Sequence, residues 1–229
     1  MARVRLLLGL NVDLTPFYSL ARGDAFLSAL VEPLWGLKAP RFPTVFEALV
    51  NAIACQQISL AAGITVMGRL AERFGQRVWF EGEEYVAFPE PAELAGASDA
   101  ELRCLGFSTP KARYVIGLAR GLAGGSLQLD GLASSPDEQV LQTLLTLPGI
   151  GRWSAEYAML RALGRLDVFP ADDVGAARNL SRWLALDHRP AATEVREIVS
   201  RWKPWSGCVY LHLLGRSLME RGRLAPTAR

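Results

Sequence analysis

The sequence predicts an all-α protein. Half of its 229 residues are apolar, and they recur mostly at the spacing of helices, whereas the alternation typical of strands is nearly absent. A second observation is a series of helix starts, in which a serine or threonine cap precedes a glutamate or proline. A chain of this length can bury one or two hydrophobic cores.

The amino-terminal segment, residues 1–40, has the least clear pattern of secondary structure. Arginines and leucines within residues 3–8 resemble the start of a signal sequence, but Asn11 and Asp13 interrupt the apolar run. At most a strand or two is expected here, with residues 4–10 as the candidate. We expect this segment to pack on the helical remainder of the chain.

The first clear helix starts at Thr44, which can form a capping box with Glu47. The helical pattern breaks at Gln56 and Gln57 and resumes from Ser59. Two polar residues at a helix junction are a common structural feature, so on their own they predict no function.

Residues 75–88 are irregular, and the Glu-Gly pair at residues 81–82 is a candidate turn of a small β-hairpin. Further helix starts follow at Ser98, Thr109 and Thr193. No internal repeat or low-complexity linker separates these segments.

Residues 147–153 form a hairpin between two helical segments. The first segment starts at Ser135, which can cap it, and Pro148 with Gly149 end it. The helical pattern resumes after Gly151. Glycine at both positions permits positive φ and leaves the turn without side chains, so several backbone N–H groups can bind one phosphate.

Two other interpretations of this hairpin stay open. Glycine and proline punctuate many helix pairs, so the segment can be an ordinary corner between two helices. A dinucleotide-binding fingerprint fits less well, because Ser154 stands where its third glycine should be and a helix, not a strand, precedes the turn.

A candidate carboxylate follows about twenty residues later. Asp172 and Asp173 end a proline-containing loop and precede residues 174–186, which have a helical pattern. Asp173 is placed to cap this helix, whose dipole would keep the carboxylate ionised. A purely capping role is the alternative. A phosphate-binding hairpin followed by a carboxylate suggests an enzyme that acts on a base in DNA.

At this point the chain resembles a known family. Residues 147–173 are similar to the helix-hairpin-helix glycosylases of base-excision repair, and most similar to the AlkA-type 3-methyladenine DNA glycosylases among them. The resemblance extends from about residue 40 to about residue 215. Three further stretches carry it in the same order: residues 43–49 with 56–59, 106–108 with 111–114, and 202–205.

The resemblance implies the helix-hairpin-helix glycosylase fold, in which two helical subdomains surround a DNA-binding cleft. One subdomain is expected to comprise residues 41–97 with 186–229. The other, residues 98–185, is expected to contain the hairpin and the catalytic aspartate.

The resemblance also implies excision of alkylated bases, such as N3- and N7-methylpurines, from double-stranded DNA after base flipping. Cleaving the N-glycosidic bond builds positive charge on the sugar, which a fixed carboxylate stabilises or uses to orient the attacking water. Because an alkylated purine is already cationic, it departs without a strong general acid. One carboxylate is then sufficient. The family places it at Asp173, the second acid of the pair, with Asp172 as the rival.

Further roles follow from the resemblance. Trp153 stands where glycosylases that also cut the DNA backbone carry a Schiff-base lysine, so no lyase activity is expected. Trp153, Tyr157 and Gln56 are expected to line the base pocket, although two aromatics four residues apart are ordinarily core residues. Gln57 is expected to wedge into the duplex, in place of an apolar wedge. The expected contacts to the DNA backbone are Leu147, Gly149, Gly151 and Arg152.

Composition limits the cofactors and the location. The net charge is only +2, so DNA binding must come from a local basic face and the hairpin. Cys55, Cys104 and Cys208 form no Cys-x-x-Cys pair, which argues against a zinc site and a four-cysteine iron–sulfur cluster. We expect no cofactor, no catalytic metal and no membrane span. We expect a monomer in a reducing interior, cytoplasmic and associated with the nucleoid.

Two features depart from the family. Ser206 and Gly207 follow Trp205, where the family commonly has Arg-Ser, and only about forty residues precede Thr44, where better-known members carry a β domain. Two alternatives to the enzyme are a non-enzymatic protein that binds damaged DNA through the same hairpin and an unrelated all-α scaffold. The retained Asp173 and the pocket aromatics argue against the first.

Overall fold

Helices make up nearly all of the regular structure, which confirms the all-α prediction. The computed structural model describes residues 1–225. Within that range the α-helices are α1 (Ala2–Leu7), α2 (Thr15–Arg22), α3 (Ala25–Val31), α4 (Val45–Cys55), α5 (Leu60–Phe74), α6 (Pro91–Ala95), α7 (Asp99–Cys104), α8 (Thr109–Ala123), α9 (Asp137–Leu145), α10 (Arg152–Ala158), α11 (Val174–Trp183), α12 (Ala192–Ser200) and α13 (Ser206–Glu220). Short 3₁₀ helices cover Glu32–Leu34 and Asp130–Ser134, and Met159–Leu163 is a π-helical turn.

The chain forms two compact units. The continuous unit is Thr44–Ala158, and the discontinuous unit combines Met1–Pro43 with the described residues from Met159 onward. The subdomains expected from the sequence, residues 41–97 with 186–229 and residues 98–185, group the chain differently and stay a prediction.

The continuous unit is built around α4, which contacts α5, α8 and α10. Leu49 and Ile53 of α4 are fully buried. The helix begins where predicted, because the Thr44 side chain accepts a hydrogen bond of 3.1 Å from the N–H of Glu47. Ser59 caps α5 in the same way. The predicted break between these two helices is therefore confirmed.

A small β-hairpin also lies in the continuous unit, as predicted. Strands β1 (Arg77–Phe80) and β2 (Glu83–Val86) pair antiparallel, with Phe80 opposite Glu83. Glu81 and Gly82 both have positive φ, which is the geometry of a two-residue hairpin turn. Trp79 is 69% exposed, so the hairpin presents apolar surface to solvent.

The discontinuous unit has its own core. Phe17, Leu30 and Trp202 are buried in it. Asp24 links the two chain segments, because one carboxylate oxygen caps α3 and the other accepts a hydrogen bond of 2.8 Å from the Trp202 indole. Within the described residues, no helix has the length and apolarity needed to cross a membrane.

Two local details differ from the candidates in the sequence. Residues 4–10 contain no strand, which agrees with the expected limit of at most a strand or two. The chain there is helix α1 followed by a turn, in which the Leu8 N–H donates to the Val4 carbonyl. A helix satisfies its backbone groups locally, whereas a lone strand needs a partner. The N-cap residue of α9 is Pro136 and not Ser135, whose hydroxyl donates to the Gly131 carbonyl.

Candidate active site

The predicted helix, hairpin and helix are present as α9, residues 146–151 and α10. Gly149 has φ +80°, and a Cβ placed on it would lie 2.2 Å from a ring carbon of Tyr114 in α8. Both the backbone conformation and the neighbouring ring therefore require glycine at this position. Ile150 is buried, and its N–H donates to the Leu147 carbonyl at 3.1 Å, which holds the turn on the core.

Gly151 is different from Gly149. Its φ is not in the left-handed region, so Gly149 alone of the two uses the positive φ that glycine permits. A Cβ placed on Gly151 would meet no atom within 4 Å. Since the first N–H groups of a helix lack carbonyl partners inside it, this open space beside the start of α10 leaves room for an anion to approach the backbone.

Arg152, a predicted DNA-backbone contact, forms an ion pair along α10. Its Nε donates to the Glu156 carboxylate at 2.9 Å, and the Glu156 side chain is only 8% exposed, against 49% for Arg152. The buried Glu156 carboxylate therefore orients the exposed Arg152 side chain. Sequence analysis missed Glu156, although the spacing of four residues is the signal that relates the two.

Trp153 and Tyr157 lie on one face of α10 and stack, with ring centroids 5.5 Å apart and an angle of 28° between the planes. Both are partly exposed. The Tyr157 hydroxyl donates to the side-chain oxygen of Asn51 at 3.0 Å, which holds the Tyr157 ring against α4. Sequence analysis did not identify Asn51. The roles of the two aromatics in a base pocket stay a prediction.

Gln56 connects the junction after α4 to the hairpin. Its side-chain nitrogen donates to the Gly149 carbonyl at 2.9 Å and to the Ser154 hydroxyl at 3.1 Å. A carbonyl only accepts, so the NH₂ end of the amide must face Gly149. The structure therefore brings together Gln56 and the hairpin, which lie 93 residues apart.

Lys111 of α8 holds the same junction from another side. Its ammonium donates to the carbonyls of Ala54 and Gln56 at 2.9 and 2.6 Å. These are carbonyls at the end of α4, where a cation is favourable. Burial lowers the pKa of Lys111 below its ordinary value.

Gln57, the predicted wedge, is exposed and has φ 55°. A non-glycine residue in the left-handed region costs roughly 1–3 kcal/mol, and such residues concentrate at functional sites. The next apolar side chains, Ile58 and Leu60, are also exposed. The wedge role stays a prediction.

Asp173 lies in the discontinuous unit, at the amino terminus of α11. One carboxylate oxygen caps the helix by accepting from the Ala176 N–H at 2.9 Å. The other accepts a hydrogen bond of 2.8 Å from the hydroxyl of Tyr210 in α13. The capping role is confirmed. The catalytic role stays a prediction.

The rival acid has a different environment. Asp172 is exposed and forms an ion pair with Arg196 of α12. Asp173 is half-buried and accepts from a backbone N–H and a buried hydroxyl. The two adjacent carboxylates are thus distinguished by their partners, a difference that the sequence does not show.

The departure at Ser206 and Gly207 is a packing feature. The Gly207 N–H donates to the Leu166 carbonyl at 2.7 Å, and a Cβ on Gly207 would lie 2.8 Å from the carbonyl oxygens of Leu166 and Val168. The Ser206 hydroxyl donates to the Val199 carbonyl. Glycine at this position therefore lets α13 approach the loop that leads to Asp173.

Among the described residues, no group of three or more His, Cys, Asp or Glu side chains is arranged to hold a metal ion. The three cysteines are free thiols. Burial raises the pKa of the Cys208 thiol to about 12.

Comparison with known proteins identifies relatives. The family model for HhH-GPD superfamily base excision DNA repair proteins matches residues 50–204. A DNA-3-methyladenine glycosylase of Bacillus subtilis is 31% identical over 89% of this chain and 67% of its own length. DNA-3-methyladenine glycosylase 2 of Escherichia coli is 35% identical over 78% of this chain and 60% of its own length. The chain therefore spans about 60–67% of the length of these relatives.

A solved structure is also similar. The 3-methyladenine DNA glycosylase from Archaeoglobus fulgidus superposes with a TM-score of 0.84 at 31% identity, covering 94% of this chain and 74% of that one.

Proposed function

Because the chain belongs to the HhH-GPD superfamily of base excision DNA repair proteins, we propose that it is a monofunctional DNA glycosylase for alkylated bases. Its substrates would include N3- and N7-methylpurines in double-stranded DNA. Relatives at 31% and 35% identity that are named 3-methyladenine glycosylases support this substrate class. The observation that carries the proposal is Asp173, a half-buried carboxylate that caps α11 and accepts hydrogen bonds from the Ala176 N–H and the Tyr210 hydroxyl.

Asp173 would act on the sugar. As the N-glycosidic bond breaks, positive charge develops at the anomeric carbon, and a fixed carboxylate stabilises that charge or orients the attacking water. The dipole of α11 favours an anion at this position. Because the leaving base is already cationic, the reaction needs no second carboxylate as a strong acid.

Trp153 and Tyr157 would receive the flipped base. Extrusion of a base costs a few kcal/mol, and stacking on an aromatic ring returns about 1–3 kcal/mol. Gln56 would face the base with its carbonyl oxygen, since its nitrogen is directed at Gly149 and Ser154. A flat aromatic surface suits an electron-poor, cationic purine.

The hairpin would grip the DNA backbone through Leu147, Gly149, Gly151 and Arg152, with Gln57 filling the gap left by the flipped base. The open space at Gly151 and the exposed Arg152 support this assignment. Contacts of this kind bind phosphate and read no sequence.

The absence of lyase activity is also proposed. Trp153 supplies no amine at the position of the Schiff-base lysine. The chain has three lysines, Lys38, Lys111 and Lys203. Lys38 donates to the Val12 carbonyl and Lys111 to two carbonyls at the end of α4, so neither ammonium is presented as a nucleophile.

Base release from methylated duplex DNA tests the proposal. Duplex DNA treated with a methylating agent is incubated with the protein, and released bases are separated by chromatography while abasic sites are counted. We expect free 3-methyladenine and 7-methylguanine with an equal number of abasic sites. Tight binding without released bases would support the non-enzymatic alternative instead. Sedimentation of the free protein and its DNA complex tests the proposed monomer.

A further inference from the structure

We propose that Tyr210 is a positioning residue for excision, which acts by fixing the carboxylate of Asp173. The inference rests on the proposed function. Tyr210 lies on α13. Sequence analysis related this helix to the site only through Ser206 and Gly207, which replace the Arg-Ser of the family.

The geometry isolates the hydroxyl as the functional part of the side chain. The Tyr210 hydroxyl donates to one Asp173 oxygen at 2.8 Å, while the Ala176 N–H donates to the other at 2.9 Å. A carboxylate held at both oxygens has a defined rotation about its terminal bond. The backbone donor holds one oxygen and the tyrosine holds the other, so the two contacts act on different oxygens of the carboxylate.

The tyrosine itself is held rigidly. It is 5% exposed, and its ring packs edge-on against Phe169, with centroids 5.4 Å apart and planes at 82°. Phe169 belongs to the loop that leads to Asp173. The donor and the acceptor are therefore positioned by the same packed segment.

The altered motif explains how α13 comes close enough. Gly207 lets the first turn of α13 touch the carbonyls of Leu166 and Val168. Tyr210 lies one turn later on the same helix, and this close approach places its hydroxyl at Asp173. Here the site carries a neutral donor on α13, whereas the family motif carries an arginine in the first turn of that helix.

The hydrogen bond has a chemical consequence. A donor that fixes a carboxylate holds it in the orientation in which it can stabilise the sugar cation. Loss of the hydroxyl should therefore slow single-turnover excision and leave DNA affinity nearly unchanged. A side chain that only supported the fold would lower the melting temperature and reduce excision and DNA affinity together.

The test compares Tyr210→Phe with wild type and with two controls. Tyr210→Phe keeps the ring contact with Phe169 and removes only the hydroxyl. Tyr85→Phe removes a hydroxyl from the exposed hairpin, and Asp173→Asn reports complete loss of the carboxylate. Single-turnover excision at saturating protein is measured together with DNA affinity and the melting temperature.

For Tyr210→Phe we expect single-turnover excision about tenfold slower or more, DNA affinity within about twofold of wild type, and a melting temperature lowered by no more than a few degrees. Tyr85→Phe should match wild type. A Tyr210→Phe protein with the wild-type rate, or one that melts early and loses excision and DNA affinity together, would overturn the inference.

The two proposals fail differently. If wild type releases no methylated base, the proposed function is wrong and the role of Tyr210 falls with it. If wild type is active and Asp173→Asn is inactive while Tyr210→Phe behaves as wild type, only the role of Tyr210 is wrong.

Discussion

Asp173 and Asp172 are neighbours in sequence with different partners, and this difference sets the expected outcome of replacing each. Asp173→Asn keeps a good helix cap, because asparagine caps as well as aspartate, but removes the negative charge. A positioned catalytic group contributes on the order of 100- to 10,000-fold. We therefore expect Asp173→Asn to retain less than about a tenth of single-turnover excision, with DNA binding largely intact.

Asp172→Asn is the matched control for this experiment. It loses an ion pair with Arg196 at a partly exposed site, which contributes about 0–1 kcal/mol to stability. Its excision rate should stay close to that of wild type. If Asp172→Asn were the inactive protein and Asp173→Asn the active one, the assignment would be reversed.

Trp153 determines the second prediction. Borohydride traps a covalent enzyme–DNA complex only when an amine has formed a Schiff base with the sugar. With tryptophan at this position, we expect no trapped complex, and strand cleavage only after added alkali. Trapping by the purified protein would refute the monofunctional assignment, and Lys38→Ala, Lys111→Ala and Lys203→Ala variants would then show which lysine reacts.

His212 gives stability a pH dependence. Its Nδ1 faces the Cys208 carbonyl at 2.8 Å, and its Nε2 is buried with no hydrogen-bond partner in the described structure. Burial lowers the pKa of His212 from its ordinary value to about 4. The unfolded chain, with a pKa of about 6.5, therefore binds a proton that the folded chain excludes between these values.

Stability should consequently fall as the pH drops from about 6.5 to about 4. The contribution of His212 to that loss is on the order of 3 kcal/mol. Urea unfolding of wild type and His212→Leu at pH 7 and pH 4.5 measures it. The variant should lose less stability on acidification than wild type. Equal losses in both proteins would show that another group controls the acid transition.

At the scale of elements, the hairpin contains two glycines with different surroundings. Gly149 has positive φ, and a Cβ added to it would collide with the ring of Tyr114. A Cβ added to Gly151 would face open space. We expect Gly149→Ala to lower the free energy of unfolding by at least about 1–3 kcal/mol. Gly151→Val should unfold near the wild-type urea concentration but bind DNA more weakly.

The loss of affinity in Gly151→Val should be the same for methylated and unmodified duplexes, because a phosphate contact reads no sequence. Unfolding curves and DNA titrations of both variants separate the two effects. Unchanged affinity of a folded Gly151→Val protein would mean that the hairpin is only a corner between helices.

Local signals explain which elements the sequence predicts correctly. The caps at Thr44, Ser59 and Ser98 act over three residues, so they can be recognised without knowing the fold. The candidate strand at residues 4–10 is absent, because strand formation depends on a partner that a local pattern does not reveal. The hairpin at residues 77–86 supplies its own partner, and it was predictable for that reason.

The same distinction between local and long-range contacts explains which parts of the candidate site could be predicted from the sequence. Asp173 and the hairpin are recognisable from short motifs. Their supports are not, because the contacts span long separations: Tyr210 reaches Asp173 across 37 residues and Lys111 reaches Gln56 across 55. Gly207 indicated a departure from the family, but only its close approach to the loop explains the replacement.

At the scale of the whole molecule, a net charge of +2 provides little general attraction to DNA. The choice of which bases are excised would then depend on how easily each base unstacks from the duplex and separates from its sugar. We expect removal of both N3- and N7-methylated purines, with weak activity on normal bases. Trp153→Ala should slow all of these reactions together, since stacking does not distinguish among them.

Rates on duplexes that each carry one defined lesion measure this breadth. Strict confinement to one methylated base would indicate a discriminating contact other than stacking. Unchanged rates for Trp153→Ala would remove the tryptophan from the pocket.

The order of synthesis follows from the way the chain is divided. The continuous unit, Thr44–Ala158, leaves the ribosome before the second segment of the discontinuous unit has been translated. Asp24 meets Trp202 only 178 residues later, which at roughly 5–20 residues per second is a delay on the order of ten seconds. Phe17, Leu27 and Leu30 are buried in the finished protein. Throughout that interval they lack the later core residues, such as Trp202, that complete their cluster. A nascent-chain chaperone would therefore find its target in α2 and α3, which precede the continuous unit, and not in the part that contains the hairpin.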